Sequence, residues 1–286
     1  MSIPKFAFFG TPDIAVIVLE ELKKADMMPS VIVTNPDAPQ GRKMMLTPSP
    51  VKVWALREGV PVLCPQSLRT DDTVETYLRE HDIELAVVVA YGKVIPESLL
   101  SVPKYGLVNV HPSLLPRFRG ASPIRSAILA DERETGVSIM LLDSKVDHGP
   151  LLAQERADIP EDVWPMRGRE LDTLLAKHGG ELLVRTLPRY VSGELTPTPQ
   201  EHDKATYCEK ITKEMGELDL HADPYTNLLK IRAFDGWPGT FFFTEKGGKR
   251  IRVKVTDAEI AEDGSLRILR VIPEGRNEMD YEDFMR

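Results

Sequence analysis

The chain has 286 residues, with 36 Lys and Arg against 44 Asp and Glu for a net charge of −8, and is long enough for two domains with a buried core. That balance excludes a general nucleic-acid coat, because phosphate is repelled everywhere except at a local basic patch. With 42% hydrophobic and 28% charged residues, disorder and fibre are excluded as well.

The start, Ile3 to Phe9, is interrupted by Pro4 and Lys5 and is too short for a signal segment. No apolar run approaches a membrane span, so a soluble, cytoplasmic protein is expected. Phe6 to Phe9 predicts a strand, and Ile14, Ile17, Val18 and Leu22 fall at helical spacing behind it. Between them Thr11 reads as an N-cap and Pro12 as the first helical residue, with too few glycines for a dinucleotide fingerprint. Val31 to Thr34 and Val60 to Leu63 predict further strands, and Leu85 to Ala90 is the most continuous buried-strand candidate. Cys64 and Cys208 form no CxxC pair and read as buried fillers in a reducing compartment. Gly106 to Val110 and Gly136 to Leu142 add two more strands, and a helix is expected from about Trp164 to Thr186. The whole reads as an α/β fold with a Rossmann-like, doubly wound, mostly parallel sheet.

Domain bounds are expected at 1–189 for this part, 190–206 for a linker rich in Pro, Thr and Gly, and 207–286 for a second domain. In the second domain Gly239 to Phe243, Lys249 to Thr256 and Leu266 to Ile272 alternate like antiparallel strands, with turns at the Gly-Gly and Asp-Gly pairs. From Lys204 onward 14 basic residues stand against 16 acidic, so most of the acidity falls on the first domain. Arg250, Arg252 and Lys254 alternate with Ile251, Val253 and Val255, which places three cations on one strand face. An ordinary solvated face and a phosphate track both fit that pattern.

Open α/β sheets bind ligands beyond the carboxyl ends of their strands. There, Asn109 and His111 are two residues apart on a strand and face one side of the sheet. A carboxamide can hold a carbonyl oxygen, and an imidazole can accept a proton or stabilise an oxyanion. The proline-bounded loop Pro112 to Gly120 follows, and a later strand ends near Asp143, Asp147 and His148. A carboxylate brought beside His111 would fix its tautomer. Neither a metal site nor a serine hydrolase elbow has the spacing it needs. The long segment Asn35 to Pro50, with Arg42 and Lys43 beside Met44 and Met45, reads equally as a functional loop or as a solvated insertion.

The runs Asn109-Val110-His111-Pro112-Ser113-Leu114-Leu115-Pro116, Arg119-Gly120-Ala121-Ser122-Pro123 and Asp147-His148-Gly149-Pro150 resemble those of the formyltransferases that use 10-formyltetrahydrofolate. Phe9 to Pro12, Pro48 to Lys52 and Ala205 to Tyr207 are similar to the members that formylate the α-amine of initiator methionyl-tRNA. The resemblance implies a catalytic trio of Asn109, His111 and Asp147. It implies folate contacts at Val88, Val89, Ala90, Tyr91, Ser113, Leu114, Leu115, Pro116, Leu142 and Asp143, and tRNA contacts at Arg42, Lys43, Arg250, Arg252 and Lys254. It further implies no metal and an OB-like β-barrel at the end of the chain, here expected to be shortened. A monomer is expected. The alternative acceptor is a nucleotide-linked amino sugar, against which the long loop and the second domain argue.

Overall fold

A computed structural model describes residues 3–41 and 44–286. In chain order it contains β1 (Phe6–Gly10), α1 (Asp13–Lys24), β2 (Val31–Val33), β3 (Ala38–Gln40), β4 (Met45–Thr47), α2 (Pro50–Glu58) and β5 (Val62–Leu63). Next come α3 (Thr73–Glu80), β6 (Leu85–Val89), α4 (Glu97–Leu100), β7 (Leu107–His111), β8 (Arg119–Gly120) and α5 (Pro123–Leu129). They are followed by β9 (Gly136–Leu141), β10 (Leu151–Arg156), α6 (Gly168–Val191), β11 (Tyr207–Cys208) and α7 (Pro224–Ala233). The chain closes with β12 (Thr240–Lys246), β13 (Lys249–Ile260), β14 (Leu266–Pro273), β15 (Met279–Asp280) and α8 (Tyr281–Met285).

Two compact units arise. The first gathers Met1–Arg119, Gly136–Ala157 and Thr173–Thr206; the second gathers Gly120–Thr135, Asp158–Asp172 and Tyr207–Arg286. The first is built on a seven-stranded sheet of order β10-β9-β7-β6-β1-β2-β5. Strands β5, β2, β1, β6 and β7 run parallel, as expected, and β9 and β10 are added antiparallel at one edge. One face is covered by a core that includes Phe9, Val33, Leu78, Val88, Tyr91 and Leu107. On the other face Gly179 of α6 lies directly on Val110 and Val137, where an added Cβ would come within 2.6 Å of Val110.

That close approach has a measurable consequence. Gly179→Val would overpack the interface at a cost of about 1 to 3 kcal/mol, offset only in part by the roughly few tenths of a kcal/mol in helix propensity that Val gains over Gly. The thermal midpoint is expected to fall by several degrees at unchanged turnover, and an unaltered calorimetric trace would contradict the packing argument.

Several expected boundaries shift for identifiable reasons. Thr11 does not cap α1: its hydroxyl donates to the Tyr91 carbonyl at 3.1 Å, and Pro12 takes the N-cap position without a side-chain bond. Val60 lies just past α2, where its N–H closes the helix end on the Ala55 carbonyl after left-handed Gly59, so the strand begins only at Val62. Trp164 precedes a proline and stays extended, which delays α6 to Gly168. Strand β10 was not foreseen. Cys64 and Cys208 are half-buried rather than buried, and burial still pushes the Cys64 thiol up, away from a reactive thiolate.

The Pro- and Thr-rich stretch after α6 is not a free tether, since Thr198 bridges Leu151 through two backbone hydrogen bonds of 2.8 Å. Within segment 35–50, β3 pairs antiparallel with β4, and Met44, Met45 and Leu46 are exposed. Arg42 and Lys43 lie outside the described residues.

The second unit contains an antiparallel sheet of order β12-β13-β14-β15. Gly247 and Gly248, both with positive φ, make the two-residue turn between β12 and β13. Val253, Val255 and Val271 face a core with Phe242 and Phe284. Strands β12 and β15 are not paired with each other, so the described sheet is an open meander.

Candidate active site

The site forms at the carboxyl ends of β6 and β7, beside the antiparallel β9. Val88, Asn109 and Met140 lie side by side across these strands, and His111 aligns with Ser138. Val110 is held beneath α6, so strand alternation turns Asn109 and His111 to the opposite face. Asn109 is half-buried and His111 is 4% exposed.

The imidazole is constrained on both sides. Its Nε2 lies 3.0 Å from the Phe118 carbonyl, which can only accept, so Nε2 carries a hydrogen and donates it. Its Nδ1 stands 3.7 Å from Oδ1 of Asp147. That gap is too long for a hydrogen bond and short enough for a strong charge interaction with an imidazolium. With Nε2 committed to Phe118, Nδ1 is the nitrogen available for chemistry.

Asp147 has φ +46°, a left-handed backbone that is uncommon outside glycine. It sits in the turn between β9 and β10, and Gly149 follows it where a Cβ would come 1.9 Å from the Leu141 carbonyl oxygen. In the same turn Asp143 accepts from the Lys145 amide at 2.9 Å and pairs with His148 Nδ1 at 2.6 Å.

The loop after His111 is tied down by residues that sequence reasoning missed. The buried hydroxyl of Ser138 donates to the Ser113 carbonyl at 2.7 Å and accepts from the Leu115 amide at 3.1 Å. Gln154 donates to Ser138 Oγ and to the Leu115 carbonyl. Within the loop Ser113 Oγ donates to the Arg117 carbonyl at 2.6 Å. Ser113 and Leu115 thus face inward, while Leu114 and Pro116 are half-buried. A serine in the otherwise apolar strand Gly136–Leu141 was the one sequence signal for this clamp.

On the neighbouring strand Val88, Val89 and Tyr91 are buried, and Ala90 between them is exposed with φ +46°. Leu142 packs against the cluster that holds Val88 and Tyr91. Burial pushes the Tyr91 phenol up to about 12, so it stays a neutral hydroxyl throughout the neutral range.

In the second unit Arg250 stacks on Phe243, 4.1 Å from the ring centre, and Arg252 stacks on Phe241 at 3.5 Å. An added Cβ on Gly239 would meet Lys254 Cε at 2.5 Å, so the lysine stem crosses that glycine. The three cations therefore share one face, opposite Val253 and Val255.

A strand-end Asn and His facing a turn-borne Asp on a doubly wound sheet is an arrangement suited to acyl transfer between amines. The chain belongs to the formyl transferase family, whose model matches residues 4–186. Within that family its place is with the methionyl-tRNA formyltransferases: one from Myxococcus xanthus is 41% identical over 306 aligned positions, covering 100% of this chain and 96% of the relative. Among solved structures, a methionyl-tRNA formyltransferase from Clostridium thermocellum superposes with a TM-score of 0.62 at 14% identity, over 98% of this chain and 100% of that one. HypX from Aquifex aeolicus in complex with tetrahydrofolic acid superposes with a TM-score of 0.65 at 16% identity, over 99% of this chain and 47% of that one. These two likenesses concern the fold. No described helix is long and apolar enough to cross a membrane.

Proposed function

We propose that the protein moves the formyl group of 10-formyltetrahydrofolate to the α-amine of initiator methionyl-tRNA, as a monomer in the cytoplasm. The observation that carries this reading is the Nδ1 edge of His111 standing 3.7 Å from the Asp147 carboxylate, on the strand face that alternation gives to Asn109 as well. The end-to-end kinship with the Myxococcus enzyme supports the choice of acceptor.

The strand ends suit a pterin. Val88 and Leu142 offer apolar walls, and the peptide groups flanking the exposed Ala90 are assigned to the polar edge of a ring. The folate supplies an activated formyl group on N10. As the amine attacks the formyl carbon, the Asn109 carboxamide and a protonated His111 Nδ1 hydrogen-bond to the oxygen that gains negative charge. Asp147 holds the imidazolium and takes the proton shed by the attacking nitrogen. That proton passes to N10 as the carbon–N10 bond breaks, so the leaving amine departs neutral.

Supplying 10-formyltetrahydrofolate with methionyl-tRNA in one reaction and a nucleotide-linked amino sugar in another tests the acceptor. Formyl-methionyl-tRNA is expected from the first alone. Transfer only to the sugar would overturn the reading.

The cations of β13 are assigned to the tRNA backbone, and Arg42 and Lys43 are assigned to the same partner from sequence alone. Stacking on Phe241 and Phe243 presets the two guanidinium planes, which lowers the entropy lost when they meet phosphate. Replacing Arg250 and Arg252 together with Ala should weaken tRNA binding and flatten the slope of log K against log salt by about 0.7 to 0.9 for each phosphate that is no longer neutralised. A superimposable salt titration would leave these residues as ordinary surface packing.

A further inference from the structure

The catalytic turn is not held by its own strands alone. Gln200, 5% exposed, reaches it from the stretch that follows α6. Its Nε2 donates to the carbonyl of Asp147 at 3.0 Å and to that of Gly149 at 2.7 Å. Its Oε1 accepts from Nε and Nη2 of Arg119 at 3.1 and 2.6 Å. The orientation of the carboxamide is therefore unambiguous, because a guanidinium only donates and peptide carbonyls only accept.

Arg119 is itself 1% exposed, so its guanidinium is a fixed anchor. Its Nη2 lies 2.9 Å from Nδ1 of His202, which must be unprotonated there to accept. Desolvation, with His148 and Arg119 nearby, lowers the His202 pKa and favours that neutral form. His202 in turn stacks in parallel on His148 at 4.0 Å, the residue between the two clamped carbonyls.

We infer that Gln200 is a positioning residue for the reaction: by gripping the carbonyls on either side of His148 it fixes the left-handed backbone at Asp147 and aims the Asp147 carboxylate at His111 Nδ1. This rests on the assignment of Asp147 as the proton-handling carboxylate. A residue outside the active-site strands thereby sets the distance on which the imidazolium depends. The neighbouring bridge between Thr198 and Leu151 keeps the segment in place independently, so altering Gln200 need not release it.

Steady-state kinetics on Gln200→Glu, Gln200→Ala, Asp147→Asn and the Gln200→Glu/Asp147→Asn double variant test the inference. Glu retains an acceptor for Arg119 and removes both donors to the turn; Ala removes the clamp without adding charge. Each Gln200 variant is expected to lose about 10-fold to 10²-fold in kcat, as a displacement on the order of 1 Å would cause, with KM for folate and for tRNA unchanged. Added to Asp147→Asn, the Gln200→Glu change should cost nothing further. Wild-type kcat in both Gln200 variants beside an impaired Asp147→Asn overturns the inference and leaves the reading of the site intact. So does a rise in KM alone, or losses that multiply in the double variant. Wild-type kcat in Asp147→Asn overturns the reading itself, and the inference with it.

Discussion

Asn109→Ala is expected to turn over about 10² to 10³ times more slowly than the wild type, the usual cost of one oxyanion donor. The effect should appear in kcat with KM for both substrates nearly unchanged, because the bond in question strengthens only as the formyl oxygen gains charge. The side chain is half-buried, so its N–H group acts with little competition from water. Stability should barely respond, since Asn109 is not part of the buried core on either side of the sheet. A variant with normal kcat would place the stabilising donor elsewhere, and His111 Nδ1 would then have to carry the charge alone. Asn109→Asp is a sharper control: it keeps the size and replaces a donor with a negative charge beside the developing one, so it should be at least as slow.

The part of this site that could be read in the sequence is the part that is local. Period-two alternation puts Asn109 and His111 on one side of a strand whatever the fold around them. The five parallel strands were likewise visible as short apolar runs separated by helical spacing. What could not be read was long-range pairing. Strand β10 looks like any amphipathic stretch until β9 is beside it, and Phe118 enters only through a backbone carbonyl, an atom every residue has. Gln200 gave no signal at all, because its role depends on Arg119, 81 positions earlier. Boundaries failed where a neighbour outbid local propensity, as the Tyr91 carbonyl did for the Thr11 hydroxyl.

The same reasoning separates two glycines whose replacement should cost similar stability and differ in its effect on turnover. At Gly149 an alanine Cβ would come 1.9 Å from the Leu141 carbonyl oxygen and 3.0 Å from its carbon. Those are backbone atoms of a strand paired on both sides, so they cannot move aside cheaply, and the turn carrying Asp147 has to give instead. Overpacking of this kind costs about 1 to 3 kcal/mol, which a domain with roughly 5 to 15 kcal/mol of stability survives. The chemistry does not survive it as well. A shift of about 1 Å in a reacting group costs on the order of 10²-fold in rate, and Asp147 is only two residues from the clash. Gly149→Ala should therefore fold, melt a few degrees lower and lose about two orders of magnitude in kcat. At Gly179 the clash falls on the opposite face of the sheet, against Val110 and Val137. Gly179→Val should lose a similar amount of stability and keep its turnover. Calorimetry and steady-state kinetics on the pair decide the matter: equal rates in the two variants would mean that the turn between β9 and β10 does not set the geometry at His111.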